Sequence, residues 1–279
     1  MKAQKRIAII TVTIVFLLAT TIAAICERAA WDCPECGKKG NIGKFCGGCG
    51  HPVPTDDGVL SISVESESLT VGDIITFGTY PQTKEGTDQT SIEWIVLDVQ
   101  DGKALLLSKY GLDAKPYDMD HNNNIWEQCS LRDWLNNGFL KKAFSDKQQS
   151  MILLTDINNS EGYGETAGKG NTRDQIFLLS YAEANRYLDV TGQNHNNMKS
   201  RVSPTAYAEA KGVIANNTYK TDDDDATGWW WLRSPGKYTQ YVHYVAYVYI
   251  DGSLNFQFPD NDHGAVRPAL WISLEFDNY

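Results

Sequence analysis

The chain has 279 residues, 42% hydrophobic and 11% aromatic, enough to bury one large core with small appendages, which excludes a disordered chain. Lys and Arg number 25 against 35 Asp and Glu, a formal charge of -10, and no stretch of the sequence is a basic patch. A surface of that sign repels phosphate backbones, so no nucleic-acid partner is expected.

Residues 1–25 read as an N-terminal membrane anchor. Lys2, Lys5 and Arg6 precede a charge-free run from Ile7 to Ile25, close to the ~20 residues a helix needs to cross the hydrocarbon layer. The positive flank comes first, which places the N-terminus in the cytoplasm and the rest outside the cell. A cleaved signal peptide is the competing reading, and lipidation on Cys26 a third. The length of the apolar run, the lack of an Ala-x-Ala site near Ile25 and the bulk of Ile25 before Cys26 favour retention.

Four of the six cysteines fall as Cys33-x-x-Cys36 and Cys46-x-x-Cys49. Two such pairs can fold back so that four thiolates meet at one tetrahedral centre, a geometry that suits Zn²⁺. Gly37 and Gly50 follow the pairs, where a knuckle uses left-handed backbone. An all-sulfur set leaves no position open for water, so the zinc is expected to be structural. Two disulfides are the alternative, since the expected topology puts these thiols outside the cell. The segment over residues 31–50 closely resembles the short zinc ribbons found beside membrane helices in many bacterial proteins. Residues 51–58, with Pro52 and Pro54, form a stiff polar linker.

The large domain spans residues 59–279. Alternation or apolar runs predict strands over Val59–Val64, Ile74–Tyr80, Glu93–Val99 and Ala104–Ser108, the last two joined by an Asp101-Gly102 turn. Short helices follow. Ser130 caps one over Leu131–Asn136, Ser145 with Gln148 a second reaching Leu153, and Ser180 with Glu183 a third ending near Leu188. Ser203 before Pro204 opens a fourth to Ala210, stopped by Gly212. Strands return over Trp229–Arg233, Tyr244–Ile250, Ser253–Phe258 and Val266–Ile272, with Asp251-Gly252 a second tight turn. This order predicts an α+β fold with short helices and long loops, whose N- and C-terminal segments share a sheet.

Gly72-Asp73-Ile74, Phe77 to Gln82, Trp94 to Asp98, Leu105 to Ser108, Trp126 to Asn136, Ala143-Phe144-Ser145, Phe177 to Ser180, Trp231 to Gly236 and Val266 to Trp271 together resemble an uncharacterised domain family frequent in gut Firmicutes. The resemblance implies a C-type-lectin-like fold, similar to formylglycine-generating enzymes and to ligand-binding variable proteins diversified by retroelements. In the variable proteins the stretch before the Arg-Pro-Ala-Leu signature carries the ligand contacts, which corresponds here to Lys237 through Ala265.

That stretch supplies the candidate ligand-binding residues Tyr238, Gln240, Tyr241, His243, Tyr247, Tyr249, Asn255, Gln257, Asn261 and His263, with support from Trp230. Tyrosine offers a large rigid surface with a polar tip, and carboxamides offer adaptable hydrogen bonds, the mixture antibody loops use. Internal packing of the rings is the alternative for any one of them. Strand alternation sends Trp230 to the face opposite Trp229 and Trp231. Arg233 and Arg267 are expected to anchor loops by buried hydrogen bonds and not to grip a ligand. Asp222–Asp225, with Asp260 and Asp262, raises calcium, against a solvated acidic loop. The expectation is an extracellular receptor-like or adhesin-like module with a protein or glycan partner. A structural envelope protein is the alternative, and an enzyme related to formylglycine-generating enzymes a further one. Against the enzyme, Cys129 is the only cysteine beyond the ribbon, so the reactive pair of those enzymes is absent.

Overall fold

The computed structural model describes residue 39 and residues 69–160, 170–190, 197–239 and 242–275. The expected anchor, the four ribbon cysteines, the linker and the strand over Val59–Val64 lie outside the described residues. Among the described residues no helix is long and apolar enough to cross a membrane. The chain divides into two units, Met1–Asp56 and Asp57–Tyr279, and the second carries all that follows.

β1 (Ile74–Tyr80) pairs antiparallel with β2 (Thr90–Gln100), which turns through Asp101-Gly102 into β3 (Lys103–Ser108). Both turn residues have positive φ, 47° and 69°, as the Asp-Gly pair predicts for a type I′ hairpin. Register shifts at Thr76/Thr79 and Val96/Asp98 bend these strands and curl the sheet. After β4 (Asp113–Ala114) comes a helical run: α1 (Ser130–Trp134), a π-helical turn at Leu135–Phe139, and α2 (Leu140–Ala143). The sequence predicts a stop near Asn136, yet the run continues because Leu135, Phe139 and Leu140 are all buried. The π turn absorbs the weak Asn136-Asn137-Gly138 stretch while keeping those side chains on the core. The N-cap of α1 is Cys129, whose Sγ accepts from Arg132 N at 3.4 Å, one residue before the expected Ser130.

α3 (Asp146–Met151) opens on the predicted capping box of Ser145 and Gln148 but ends before Leu153, since Ile152 turns extended. A small hairpin, β5 (Thr155–Ile157) with β6 (Thr172–Asp174), precedes α4 (Tyr181–Leu188), whose Ser180–Glu183 capping box also forms. α5 (Ala206–Lys211) is capped by Thr205 in place of Ser203, and Gly212 at φ +130° stops it.

The rest is strand: β7 (Asn216–Lys220), β8 (Ala226–Thr227), β9 (Trp230–Thr239), β10 (Val242–Val248), β11 (Leu254–Gln257), β12 (Ala265–Val266) and β13 (Ala269–Ser273). One sheet has the order β1-β2-β3-β13, so its N- and C-terminal strands do share a sheet; the other runs β11-β10-β9-β12-β4. The single strand expected over Val266–Ile272 is therefore two strands in two sheets. Arg267-Pro268 is the crossing, where a proline without an N–H costs no ladder bond. Pro268 O accepts from Ser108 N at 2.9 Å, closing the joint.

The architecture is α+β, mostly strands with a few short helices. One core draws on both sheets, with Trp94, Leu106 and Ile272 from the first, Trp230, Trp231 and Val248 from the second, Phe139 from the helical run and Trp126 just before it. Each such side chain, fully buried, contributes roughly 1.5–3 kcal/mol.

Candidate functional site

The frame of the predicted site is the antiparallel trio β9-β10-β11. Tyr247 stands opposite Trp231 on one side and Asn255 on the other, and Val248 opposite Trp230 and Leu254. Cross-strand partners share a face. Trp231, Tyr247 and Asn255 thus belong to one face, and Trp230 and Val248 to the other.

Two predicted ligand residues belong to the core. Trp230 is fully buried, its Nε1 donating to Ser200 O at 3.0 Å and its ring beneath the Arg267 guanidinium. No part of that ring faces solvent. Both faces of β9 are covered here, whereas strand alternation by itself predicts one covered face. Tyr247 is 7% exposed and packs against Trp229, ring centroids 4.8 Å apart. Burial first, then Tyr249 and Asp251, pushes its hydroxyl up to about 12. It props the surface from below.

Other predicted residues reach solvent. Tyr249 is 37% exposed, with its ring 6.3 Å from that of Tyr247. His243, Asn255, Gln257 and Asn261 are half-buried, and His263 is exposed. Asn255 and Gln257 each accept, through the side-chain oxygen, from the following backbone N–H, at 2.8 and 3.0 Å. Asn261 Oδ1 accepts from His263 N at 3.0 Å, and His263 Nδ1 lies 3.0 Å from Gly212 O. These last two residues shape their own loop. The backbone of Tyr238 lies in β9 opposite His243, while Gln240 and Tyr241 lie outside the described residues.

A neighbouring segment, absent from the sequence reading, completes the surface. His121 stacks on Phe258 at 4.3 Å and is 2.9 Å from Asp260 Oδ1, and Phe258 is in turn 5.0 Å from the ring of Tyr244. The loop carrying His121 is fastened by Asn124 Nδ2 donating to Tyr244 O at 3.1 Å and by Asp118 N donating to Pro259 O at 3.0 Å. Asp118 organises it from within, accepting from Asp120 N, Asn123 Nδ2 and Ser130 N. His121 and Phe258 are 137 positions apart in the chain, so no local pattern announces the pair.

Arg233 behaves as an anchor. It donates to Leu178 O, Asn158 O, Asn159 Oδ1 and both carboxylate oxygens of Glu183. Cys129 is buried, and burial above all raises its thiol pKa to about 12. A thiol held protonated in this way is a poor nucleophile at neutral pH. Asp222–Asp225 is the exposed turn between β7 and β8, closed by Asp224 N donating to Thr221 O at 3.1 Å. Among the described residues no three His, Cys, Asp or Glu side chains gather as a metal site. What the β10–β11 surface offers chemically is aromatic faces, imidazoles and carboxamides held on strands, a set suited to contact.

No curated protein and no solved structure matches the chain. Residues 101–274 match a sequence family described as a domain of unknown function (DUF6273), well over half of the 279 residues, and the chain belongs to that family.

Proposed function

We propose that the protein is a membrane-anchored, extracellular ligand-binding module, receptor-like or adhesin-like, whose contact surface is the outer side of β10, β11 and the loops at residues 258–263 and 118–125. One observation carries the reading: partly exposed Tyr244, Phe258 and His121 stand together on backbone that is tied down by strand pairing and by the Asp118 and Asn124 bonds, and Tyr249 is exposed beside Tyr247. Rigid aromatics lose little entropy on binding, which favours contact with a protein or a glycan. The finer fold reading, a C-type-lectin-like scaffold related to retroelement-diversified proteins, rests on the sequence resemblance. So does diversification of residues 237–265.

In this reading residues 7–25 hold the chain in the membrane, and Cys33, Cys36, Cys46 and Cys49 hold one structural zinc, four thiolates being a closed donor set. The test of the placement is protease added to intact cells. It should remove the large domain and leave a short protected stub; a domain that resists protease until the cells are lysed contradicts the topology.

A further inference from the structure

Two arginines of the core have opposite fates. Arg233 meets a carboxylate and three main-chain or amide oxygens, whereas Arg267, only 1% exposed, has a single hydrogen bond, from Nε to Ser108 O at 2.9 Å. Its guanidinium carbon lies 4.9 Å from the centroid of the Trp230 ring, and no carboxylate is within ion-pairing distance among the described residues. Two buried side-chain polar atoms lack a hydrogen-bond partner there, Arg267 Nη1 and Glu93 Oε2. Glu93 Oε2 is compensated by Lys109 Nζ at 3.2 Å; Arg267 Nη1 is not. Burial pulls the guanidinium pKa down, to about 9, which leaves it cationic at neutral pH. A buried cation without a counter-charge is strongly unfavourable, and a bound anion would supply one.

Arg267 lines a cavity of about 110 Å³ whose walls include Lys109, Tyr110, Lys199, Arg201 and Asp223. A single water needs only ~10–15 Å³, so the space holds a ligand of several atoms. The chain carries a net charge of -10, yet four cations line this cavity against the two carboxylates of Asp222 and Asp223. They come from three separate stretches of chain, around residues 109, 199–201 and 267, which is why the sequence shows no basic patch. Two of the four are already engaged: Lys109 bridges Glu93 and Asp223 at 3.2 Å each, and Arg201 donates to Lys220 O at 2.6 Å. The buried donor left unspent is Arg267 Nη1. Tyr110 and Ser203 also border a second cavity of about 350 Å³.

We propose that this cavity is a binding site for a small carboxylate, with Arg267 receiving the carboxylate and Lys199 attracting it at the rim. A planar guanidinium fork matches a carboxylate better than it matches a compact cation or an extended apolar group. The site is separate from the β10–β11 surface, because none of the residues lining the cavity belongs to β10, β11 or the loops at residues 118–125 and 258–263.

The test uses the full chain, titrated with sodium acetate, inorganic phosphate and ethylammonium chloride at constant ionic strength, with heat of binding and thermal unfolding as readouts. Acetate should bind saturably and raise the melting temperature through linkage, and ethylammonium should do neither. Lys199→Glu, at an exposed position, should weaken acetate by about tenfold and leave ligand-free melting unchanged. Arg267→Lys should abolish acetate binding; if it does not fold, Lys199→Glu carries the test alone. Absence of saturable acetate binding, tighter binding of phosphate than of acetate, or indifference to Lys199→Glu would each overturn the proposal.

Discussion

Glu183 and Arg233 fasten the first turn of α4 to β9, the two carboxylate oxygens meeting two guanidinium nitrogens while Glu183 Oε2 also accepts from Ser180 N at 2.8 Å. Burial works against the carboxylate charge, but the charge and hydrogen bonds of Arg233 outweigh it, and the pKa falls below the ordinary 4.5. A lowered folded-state pKa contributes stability that is present above the unfolded value and is lost as pH falls through the folded value. The domain should therefore lose stability as acid is added below about pH 4.5. Glu183→Gln should cost about 3 kcal/mol at pH 7, because it strands a buried guanidinium, and should flatten the acid limb of the stability curve. Urea unfolding of both proteins from pH 7 downward checks this; parallel curves would contradict it.

Cys129 should resist alkylation in the native protein. Its Sγ is buried beside Tyr117 and its thiol is pushed up to about 12, whereas an unfolded cysteine ionises near 8.5. Mass spectrometry of the peptide carrying Cys129 after iodoacetamide treatment should show labelling only in denaturant. Prompt labelling under native conditions would mean that this end of α1 opens readily.

The fold was more legible than the site, for physical reasons. Capping boxes and Asp101-Gly102 are local chemistry, so Ser145, Ser180 and the first hairpin stand where spacing puts them. The extension of the helical run past Asn136 depends on where Leu135 and Phe139 find a core, which no local propensity records. Trp230 and Tyr247 carry the same side-chain chemistry as exposed rings would, and only the second covered face of β9 distinguishes them. His121 and Arg267 acquire their settings from partners far away in the chain, Phe258 in one case and the cavity walls in the other.

Gly252 should not tolerate a side chain. It sits at φ +87° where a three-residue loop rejoins β11, with Gly252 N donating to Tyr249 O at 2.9 Å and a Cβ there lying 1.9 Å from Asn197 O. The expected Asp-Gly pair is thus the end of a longer loop that needs glycine at its left-handed position. Gly252→Ala should destabilise by roughly 1–3 kcal/mol, from strain and overpacking together. Thermal unfolding checks it, and an unchanged melting temperature would contradict the packing of Asn197 on this turn.

Purified without chelator, the full chain should carry about one zinc, as four thiolates at one centre require. Cys46→Ser should release it and leave the unfolding transition of the large domain in place. Elemental analysis and calorimetry measure the two effects; four cysteines found paired in disulfides would contradict the assignment.

The contact surface is tested most directly by separating binding from folding with two variants. Glycan arrays and a random peptide display library are screened against the full chain, and the selected ligands are then measured against His243→Ser with Tyr249→Ser and against Tyr247→Ala. The double exchange removes one exposed and one half-buried group, so it should weaken selected ligands by more than about tenfold, the loss of an interface anchor, while the melting temperature falls by less than it does for Tyr247→Ala. Tyr247→Ala removes a buried ring and should instead destabilise the domain by about 3 kcal/mol. Ligands that bind the folded double variant as tightly as the parent would contradict the account.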